Sequence, residues 1–191
     1  MNCNVPTDIC FSFEGFHRRG GATDDHADGW GIAFFEGPGC RVFIDSKSAV
    51  ESPVAKLVRE YPIRSTNVIA HIRRATRGIV ALENTHPFVR ELWGRYWIFA
   101  HNGTLEHFAP SLNGVYRPVG TTDSERAFCY MRGWMRSKPY ATSSRVVLCS
   151  SAASSTPVAP APMIPTLSCS SRKGSRCSLA RMHDRRADAC P

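Results

Sequence analysis

The chain has 191 residues, and its 42% hydrophobic and 21% charged residues match an ordinary globular protein rather than a fibrous or disordered one. Its 24 lysines and arginines outnumber its 16 acidic residues and give a net charge of +8, but seven of the basic residues and only two acids fall in 140–191. The apolar runs are far shorter than the ~20 residues that span a bilayer, and no charged segment followed by an apolar one opens the chain. We therefore expect a cytoplasmic protein that is neither inserted in a membrane nor secreted.

The first predicted elements are a hairpin and a helix. The segments 30–35 and 41–44 are apolar and rich in strand-forming residues, and the Glu-Gly-Pro-Gly sequence between them is a turn signal. In 50–61 (VESPVAKLVREY) the apolar residues recur at helical spacing, and a proline lies near the start of the segment. This pattern predicts two antiparallel strands followed by a helix.

Two further strands and a last helix are predicted after that helix. The segments 67–72 and 95–101 are short apolar runs typical of strands, and 124–134 (SERAFCYMRGW) has a helical pattern. The order hairpin, helix, strand, strand, helix contains no βαβ repeat. The sequence therefore predicts a layered α+β fold.

The composition changes near Tyr140. All 19 aromatic residues lie at or before this position, and the residues that follow are rich in Ser, Ala and Pro. Such a segment offers too little bulky apolar surface to offset the entropy lost on ordering. We predict one domain over 1–138 and a disordered Ser/Pro/Arg-rich tail over 139–191. A basic nucleic-acid-binding tail is the other interpretation of this segment, although it lacks aromatic residues for base stacking.

Neither a metal nor a cofactor is expected from the sequence. The eight cysteines show no CxxC spacing, so reduced thiols are favoured over a zinc site or a disulfide framework. Asp24, Asp25, His26 and Asp28 could ligate a metal, but their spacing fits no hard-cation loop. A surface loop ahead of a strand is the favoured interpretation.

Basic side chains are concentrated in 70–78 (AHIRRATRG), at the end of a predicted strand. From this cluster alone a solvated basic loop is the favoured interpretation. The alternative is that Arg73 meets a carboxylate, because its two-pronged guanidinium matches that group in a way that lysine cannot reproduce.

Two other polar clusters also allow a structural and a functional interpretation. Asn102-Gly103 is by default a simple turn, but an amide beside a glycine N–H also offers paired donors to a developing oxyanion. The segment 121–125 (TTDSE) is explained by a cap at the start of a helix, and Asp123 could equally hold a substrate ammonium.

The order of these motifs is more specific than any one of them. DGWG, HxRxAT, HPF, HNG and TDSE follow one another over about residues 2–134. This order resembles that of the class-II glutamine amidotransferases, an N-terminal-nucleophile family. Within that family, the sequence is most similar to the stand-alone single-domain type. The resemblance implies an αββα four-layer sandwich.

The resemblance also implies roles for individual residues. Arg73 would bind the α-carboxylate of glutamine, Asp123 its α-amino group, and Asn102 and Gly103 would form the oxyanion hole. Thr76 would line the same pocket. Three histidines match motif positions and are expected to serve in the core or in hydrogen bonding rather than in proton transfer: His71, His86 and His101.

The nucleophile implied by the resemblance is a cysteine at the mature N-terminus, whose thiolate attacks the glutamine amide while its own α-amine acts as base. Here the chain begins Met1-Asn2-Cys3, and Cys3 cannot become N-terminal unless Asn2 is removed. Residues 1–8 resemble the segment that follows the first strand of the family. We therefore expect a fold incomplete at both ends, with a truncated start and, after residue 138, a shifted reading frame or a genuine tail.

Two classes of function follow for the domain. The first is an enzyme that hydrolyses glutamine to glutamate and ammonia, delivered to an acceptor that the sequence does not identify. The second is a glutamine-binding protein of the same family that lacks the nucleophile and is inactive. A nucleic-acid-binding module is the less favoured third interpretation, since it rests on the charge of the tail alone.

Overall fold

Both helices and strands occur along the chain in the computed structural model, which describes residues 1–75, 79–112 and 114–137 and the backbone of 177–180. In chain order the elements are β1 (Asn2–Asp8), α1 (Cys10–Arg19), β2 (Trp30–Glu36), β3 (Gly39–Asp45), α2 (Pro53–Glu60), β4 (Arg64–Ile72), β5 (Phe88–Leu92), β6 (Arg95–His101), α3 (Asp123–Arg136) and β7 (Cys177–Ala180). A turn of 3₁₀-helix, Leu82–Asn84, lies between β4 and β5.

The helices of the described residues include none with the length and apolar character that crossing a membrane requires.

The first sheet is antiparallel, with the strand order β1-β4-β2-β3. The predicted hairpin is confirmed, since Trp30 of β2 pairs with Asp45 of β3 and Gly37 turns the chain with a φ of 58°. Trp30 also pairs with Ile72 at the end of β4. The start of β2 and the end of β4 therefore lie at the same edge of the sheet.

Helices α1 and α2 cover one face of this sheet. Trp30 and Phe34 are fully buried there, and the Phe13 ring of α1 lies 5.7 Å from the Trp30 ring, centroid to centroid. The predicted helix within 50–61 is confirmed as α2. It starts at Pro53 because the Ser52 hydroxyl accepts the Ala55 N–H at 3.1 Å, and proline suits the first turn of a helix.

The second sheet has the order β5-β6-β7 and packs between the first sheet and α3. Ala33 and Phe35 of β2 contact Ile98 of β6 across the space between the two sheets. On the outer face, Phe99 of β6 stacks on Phe128 of α3 with 5.2 Å between ring centroids. Helices, sheet, sheet and helix thus form four layers, and the predicted α+β class is confirmed.

The beginning of the chain differs from its predicted structure. Residues 1–8 were expected to follow a strand, but Asn2–Asp8 is itself the strand β1, at the edge of the sheet. A break in its register lies between Asn2 and Thr7, where Pro6 cannot donate a backbone hydrogen bond. Helix α1 was not predicted either.

Most of the predicted tail, 139–191, lies outside the described residues. Within it, Cys177–Ala180 pairs with β6 as β7. The domain boundary at residue 138 also falls outside the described residues and stays a prediction.

Candidate active site

The loops after β4 and β6 begin side by side. The contact is made by His71, the last residue but one of β4, whose ring hydrogen-bonds the backbone of His101 and the side chain of Asn102. His101 is the last residue of β6. Since Ile72 pairs with Trp30, the start of β2 lies at this edge as well.

Arg73 follows β4 directly and is only 4% exposed. Its N–H donates to the Gly29 carbonyl at 2.7 Å, and its carbonyl accepts the Asp28 N–H at 3.1 Å. Its Nη1 donates to the Asp28 carbonyl at 3.4 Å, and Asp28 Oδ2 accepts the Ala75 N–H at 2.7 Å. Burial lowers the pKa of the Arg73 guanidinium, and the Asp28 carboxylate partly opposes this. The solvated-loop interpretation is therefore wrong for Arg73, although Arg74 beside it is exposed.

Asn102 and Gly103 are exposed where the chain leaves β6. Gly103 has a φ of 114°, in the left-handed region that favours glycine. A hydrogen bond between the His71 ring and the Asn102 side chain raises the pKa of His71. His71 therefore holds this amide at the end of β6.

Asp123 is the first residue of α3 and is half-buried. Its Oδ2 accepts the Leu105 N–H at 2.6 Å, and its Oδ1 accepts the Ser124 N–H at 2.7 Å and the Ser124 hydroxyl at 3.2 Å. The bond to Leu105 ties the loop that carries Asn102 to the start of α3. A carboxylate at this end of a helix also interacts favourably with the helix dipole.

Three buried histidines lie behind these loops. The rings of His71 and His86 are 4.4 Å apart, and His101 Nδ1 lies 3.0 Å from the Ser124 hydroxyl. Burial lowers the pKa of His71 to about 4 and that of His86 well below its usual value. Burial also lowers the pKa of His101, while Asp123 opposes this shift.

The residues expected to act together are thus assembled at one edge. Arg73 follows β4, Asn102 and Gly103 follow β6, and Asp123 begins α3. Thr76 lies outside the described residues, so its expected place in the pocket stays a prediction.

The acidic loop before β2 brings a carboxylate oxygen close to a histidine ring. Asp24 Oδ1 lies 2.9 Å from His26 Nδ1. In the part of the chain that the structure describes, no group of three or more His, Cys, Asp or Glu side chains is arranged to hold a metal.

Sequence reasoning missed two buried polar residues that support the site. Asn84 hydrogen-bonds Thr121, and Glu125 accepts the Gly120 N–H at 2.7 Å. Thr122 and Glu125 have the spacing of a capping box, and the Thr122 hydroxyl accepts the Glu125 N–H at 3.2 Å. That spacing signalled the helix start, whereas the partner of Asn84 lies 37 residues away and has no local signal.

The known proteins to which this chain is similar are described as glutamine amidotransferases. The family model described as class-II glutamine amidotransferases matches residues 1–155. The Escherichia coli (strain K12) protein YafJ, named as a candidate glutamine amidotransferase, is 62% identical over 131 residues, which are 69% of this chain and 51% of that protein. A Haemophilus influenzae protein named in the same way is 58% identical over 136 residues, 71% of this chain and 46% of that protein.

A solved structure is similar as well. The crystal structure of a predicted glutamine amidotransferase from Pseudomonas aeruginosa PA01 is 45% identical, with a TM-score of 0.52, over 74% of this chain and 57% of that chain. The chain spans about half the length of the curated relatives it matches.

Proposed function

This chain belongs to the class-II glutamine amidotransferase family, and from that premise we propose that its site binds L-glutamine for hydrolysis of the side-chain amide to glutamate and ammonia. One observation carries the proposal: a buried guanidinium and a helix-terminal carboxylate stand at the same edge of the sandwich. They are joined through the contact between His71 and Asn102.

The two charges are complementary to the two ends of an amino acid. Arg73 receives the α-carboxylate, which a guanidinium can bind with two parallel hydrogen bonds. Asp123 receives the α-ammonium. Three of roughly four acceptor positions on its carboxylate are taken by Leu105 and Ser124, so the group is held in place while it can still accept from the ligand.

Asn102 and Gly103 are placed to stabilise the oxyanion that forms on the amide oxygen. In this proposal the His71 ring, which hydrogen-bonds the Asn102 side chain, donates to Asn102 Oδ1. The amino group of the amide then points away from the ring and serves as one donor. The Gly103 N–H serves as the second. Donors fixed in advance lower the barrier because they need no reorganisation when the charge develops.

The covalent step requires a cysteine thiolate. It attacks the amide carbon, ammonia leaves with a proton supplied through the cysteine's own α-amine, and water then cleaves the thioester to glutamate. Cys3 is poorly placed for this role. Asn2 pairs with Asn67, six residues before Arg73, which at about 3.3 Å per residue puts Cys3 roughly 20 Å from the site.

We therefore propose that Cys3 is not the nucleophile and that glutamine binding and glutamine hydrolysis are separable in this protein. With Cys3 excluded, the second candidate function, glutamine binding without hydrolysis, applies to a polypeptide in which no cysteine lies beside Arg73. A cysteine that is brought beside Arg73 would restore the first.

Calorimetry with L-glutamine tests the binding proposal. Arg73→Ala and Asp123→Ala each leave one charge of the bound ligand unpaired, which costs about 2–5 kcal/mol, or tens- to thousands-fold in affinity. Arg74→Ala and Asp25→Ala are the controls, because these side chains have the same charges as Arg73 and Asp123 but are 57% and 86% exposed. Equal glutamine affinity in the parent and in both site variants, or equal losses in the controls, would contradict the assignment.

A further inference from the structure

Asn84 has no exposed surface, and it links two stretches of chain that are far apart in sequence. Its Nδ2 donates to the Ile79 carbonyl at 3.1 Å and to the Thr121 hydroxyl at 3.2 Å. Its Oδ1 accepts the Thr121 N–H at 2.8 Å. Both amide hydrogens and the amide oxygen are therefore used, so the side chain can adopt one orientation only.

Thr121, which Asn84 holds, lies two residues before the start of α3. Thr122 caps the helix, and Asp123 is its first residue. Gly120, on the other side of Thr121, approaches so closely that a Cβ atom there would collide with Asn84 Oδ1. Its N–H is held in turn by Glu125, so the backbone before Asp123 is fixed on both sides.

Thr85, the residue after Asn84, contacts the part of the site that holds Arg73. The Thr85 hydroxyl lies 3.0 Å from where a Cβ on Gly29 would stand, so the two residues are in close contact. Gly29 is the residue whose carbonyl accepts the Arg73 N–H at 2.7 Å. Asn84 and Thr85 therefore connect Gly29, which holds the Arg73 backbone, with the segment that precedes Asp123.

We propose that Asn84 is a positioning residue that sets the separation between the Arg73 guanidinium and the Asp123 carboxylate. This inference rests on the proposed function, in which these groups bind the carboxylate and the ammonium of one α-amino acid. The two charged groups of such a ligand are joined to a single carbon atom and cannot adjust their spacing. A site for both must therefore hold its own two charges at a fixed distance, which Asn84 does without touching the ligand.

The test combines a local and a functional measurement on Asn84→Ala. Amide hydrogen exchange followed by NMR is expected to accelerate at least tenfold at Thr121, because its acceptor has been removed. The dissociation constant for L-glutamine, followed by NMR titration, is expected to rise about tenfold. In an Asp123→Asn background the same substitution is expected to add less than twofold, because Asn84 acts through Asp123.

Val58→Ala is the control for general loss of stability, since Val58 of α2 is buried in the core on the other side of the first sheet. It is expected to lower the melting temperature while changing the glutamine affinity by less than twofold. Asn84→Asp is the second variant if Asn84→Ala does not fold, and it keeps an acceptor for the Thr121 N–H while it loses both donors.

Glutamine affinity within twofold of the parent in the Asn84 variants overturns the inference, as does an equal loss in Val58→Ala. A parent protein that binds no glutamine contradicts the proposed function instead. In that case the amide hydrogen exchange rate of Thr121 still decides whether Asn84 holds the start of α3. An unchanged rate in Asn84→Ala overturns the inference on its own.

Discussion

The imidazole rings of His71 and His86 lie 4.4 Å apart, with 37° between their planes. Both side chains are almost completely buried, and neither ring has an acidic side chain among the groups that shift its pKa. Two charged rings at this distance would repel each other in a medium of low dielectric constant. Both rings are therefore not charged together, and burial lowers the pKa of each, which makes the interior beneath the site sensitive to acid.

The first prediction concerns the pH dependence of stability. The pKa of His71 is about 4 in the folded chain and 6.5 as the usual value, so between these limits the unfolded chain binds a proton that the folded chain does not. The free energy of unfolding therefore falls as the pH falls from 6.5 to 4, with about 3 kcal/mol attributable to His71. Urea unfolding at pH values from 4 to 7.5 measures this slope.

The matched variants for this prediction are His71→Gln, which keeps a donor toward Asn102 but does not titrate, and His107→Asn. His107 is exposed with a φ of 56°, a conformation that asparagine tolerates. The pH slope is expected to become shallower in His71→Gln and to stay unchanged in His107→Asn. An unchanged slope in His71→Gln would show that the ring does not remain neutral by burial.

The second prediction concerns Gly31, the last residue of the DGWG motif. A Cβ at this position would collide with the His86 carbonyl oxygen and lie 2.6 Å from the Ile44 Cγ2 and 2.9 Å from the Pro87 ring. Gly31→Ala is therefore expected to lower the free energy of unfolding by about 1–3 kcal/mol, the usual cost of overpacking.

Gly15→Ala is the control, because Gly15 lies inside α1 with no atom within 4 Å of the added Cβ. Alanine there is expected to stabilise the chain by about 0.5–1 kcal/mol. Chemical denaturation of the two variants should thus give shifts of opposite sign. An unchanged free energy of unfolding in Gly31→Ala would mean that the second sheet can move away from the first.

The parts of the fold that were predictable are those with a local pattern. The β2–β3 hairpin has a glycine turn between two apolar runs, and α2 has a serine cap, a proline and a helical period. Helix α1 had a usable signal that was missed, since Ile9, Phe13 and Phe16 are spaced for one helix face and pack in the first core. Strand β1 had no such local signal, because it contains a proline and is mostly exposed. It is a strand because it pairs with β4.

The site was predictable in its residue types and not in its geometry. The motifs identified Arg73, Asn102, Gly103 and Asp123, but the Arg73 backbone is held by Gly29, which is distant in sequence. The position of Cys3 depends in the same way on the register between β1 and β4. Contacts of this kind arise only when the strands have paired, so no local pattern encodes them.

The third prediction concerns the buried carboxylate of α3. The Glu125 side chain is 1% exposed and accepts a hydrogen bond from Arg90 at 2.5 Å. Arg90→Ala would leave this charge buried without its cation, at a cost of about 3 kcal/mol in the free energy of unfolding. Arg59→Ala breaks the exposed ion pair with Glu14 and is expected to change little. Similar losses in the two variants would mean that Glu125 is reached by water.

The last prediction separates binding from hydrolysis, and it begins with the register of the edge strand. Met1 exchanges both backbone hydrogen bonds with Val68, which lies five residues before Arg73. If β1 were continued against β4, the fifth residue before Met1 would therefore stand opposite Arg73. Glutamate release from glutamine by the chain that begins at Met1 is expected to be no faster than in Cys3→Ala.

A variant that carries Met-Cys and four strand-forming residues before Met1 should instead release glutamate. Removal of its initiator methionine leaves the cysteine N-terminal, with a free amine as base, opposite Arg73 and close to the oxyanion donors Asn102 and Gly103. The same extension with alanine in place of the cysteine is the first control. The second has one residue more, which turns the thiol to the opposite face of the strand, so it should be inactive despite the same composition. Turnover by the unextended chain that Cys3→Ala abolishes would identify Cys3 as the nucleophile. Equal turnover in the two extended cysteine variants would mean that strand register does not place the thiol.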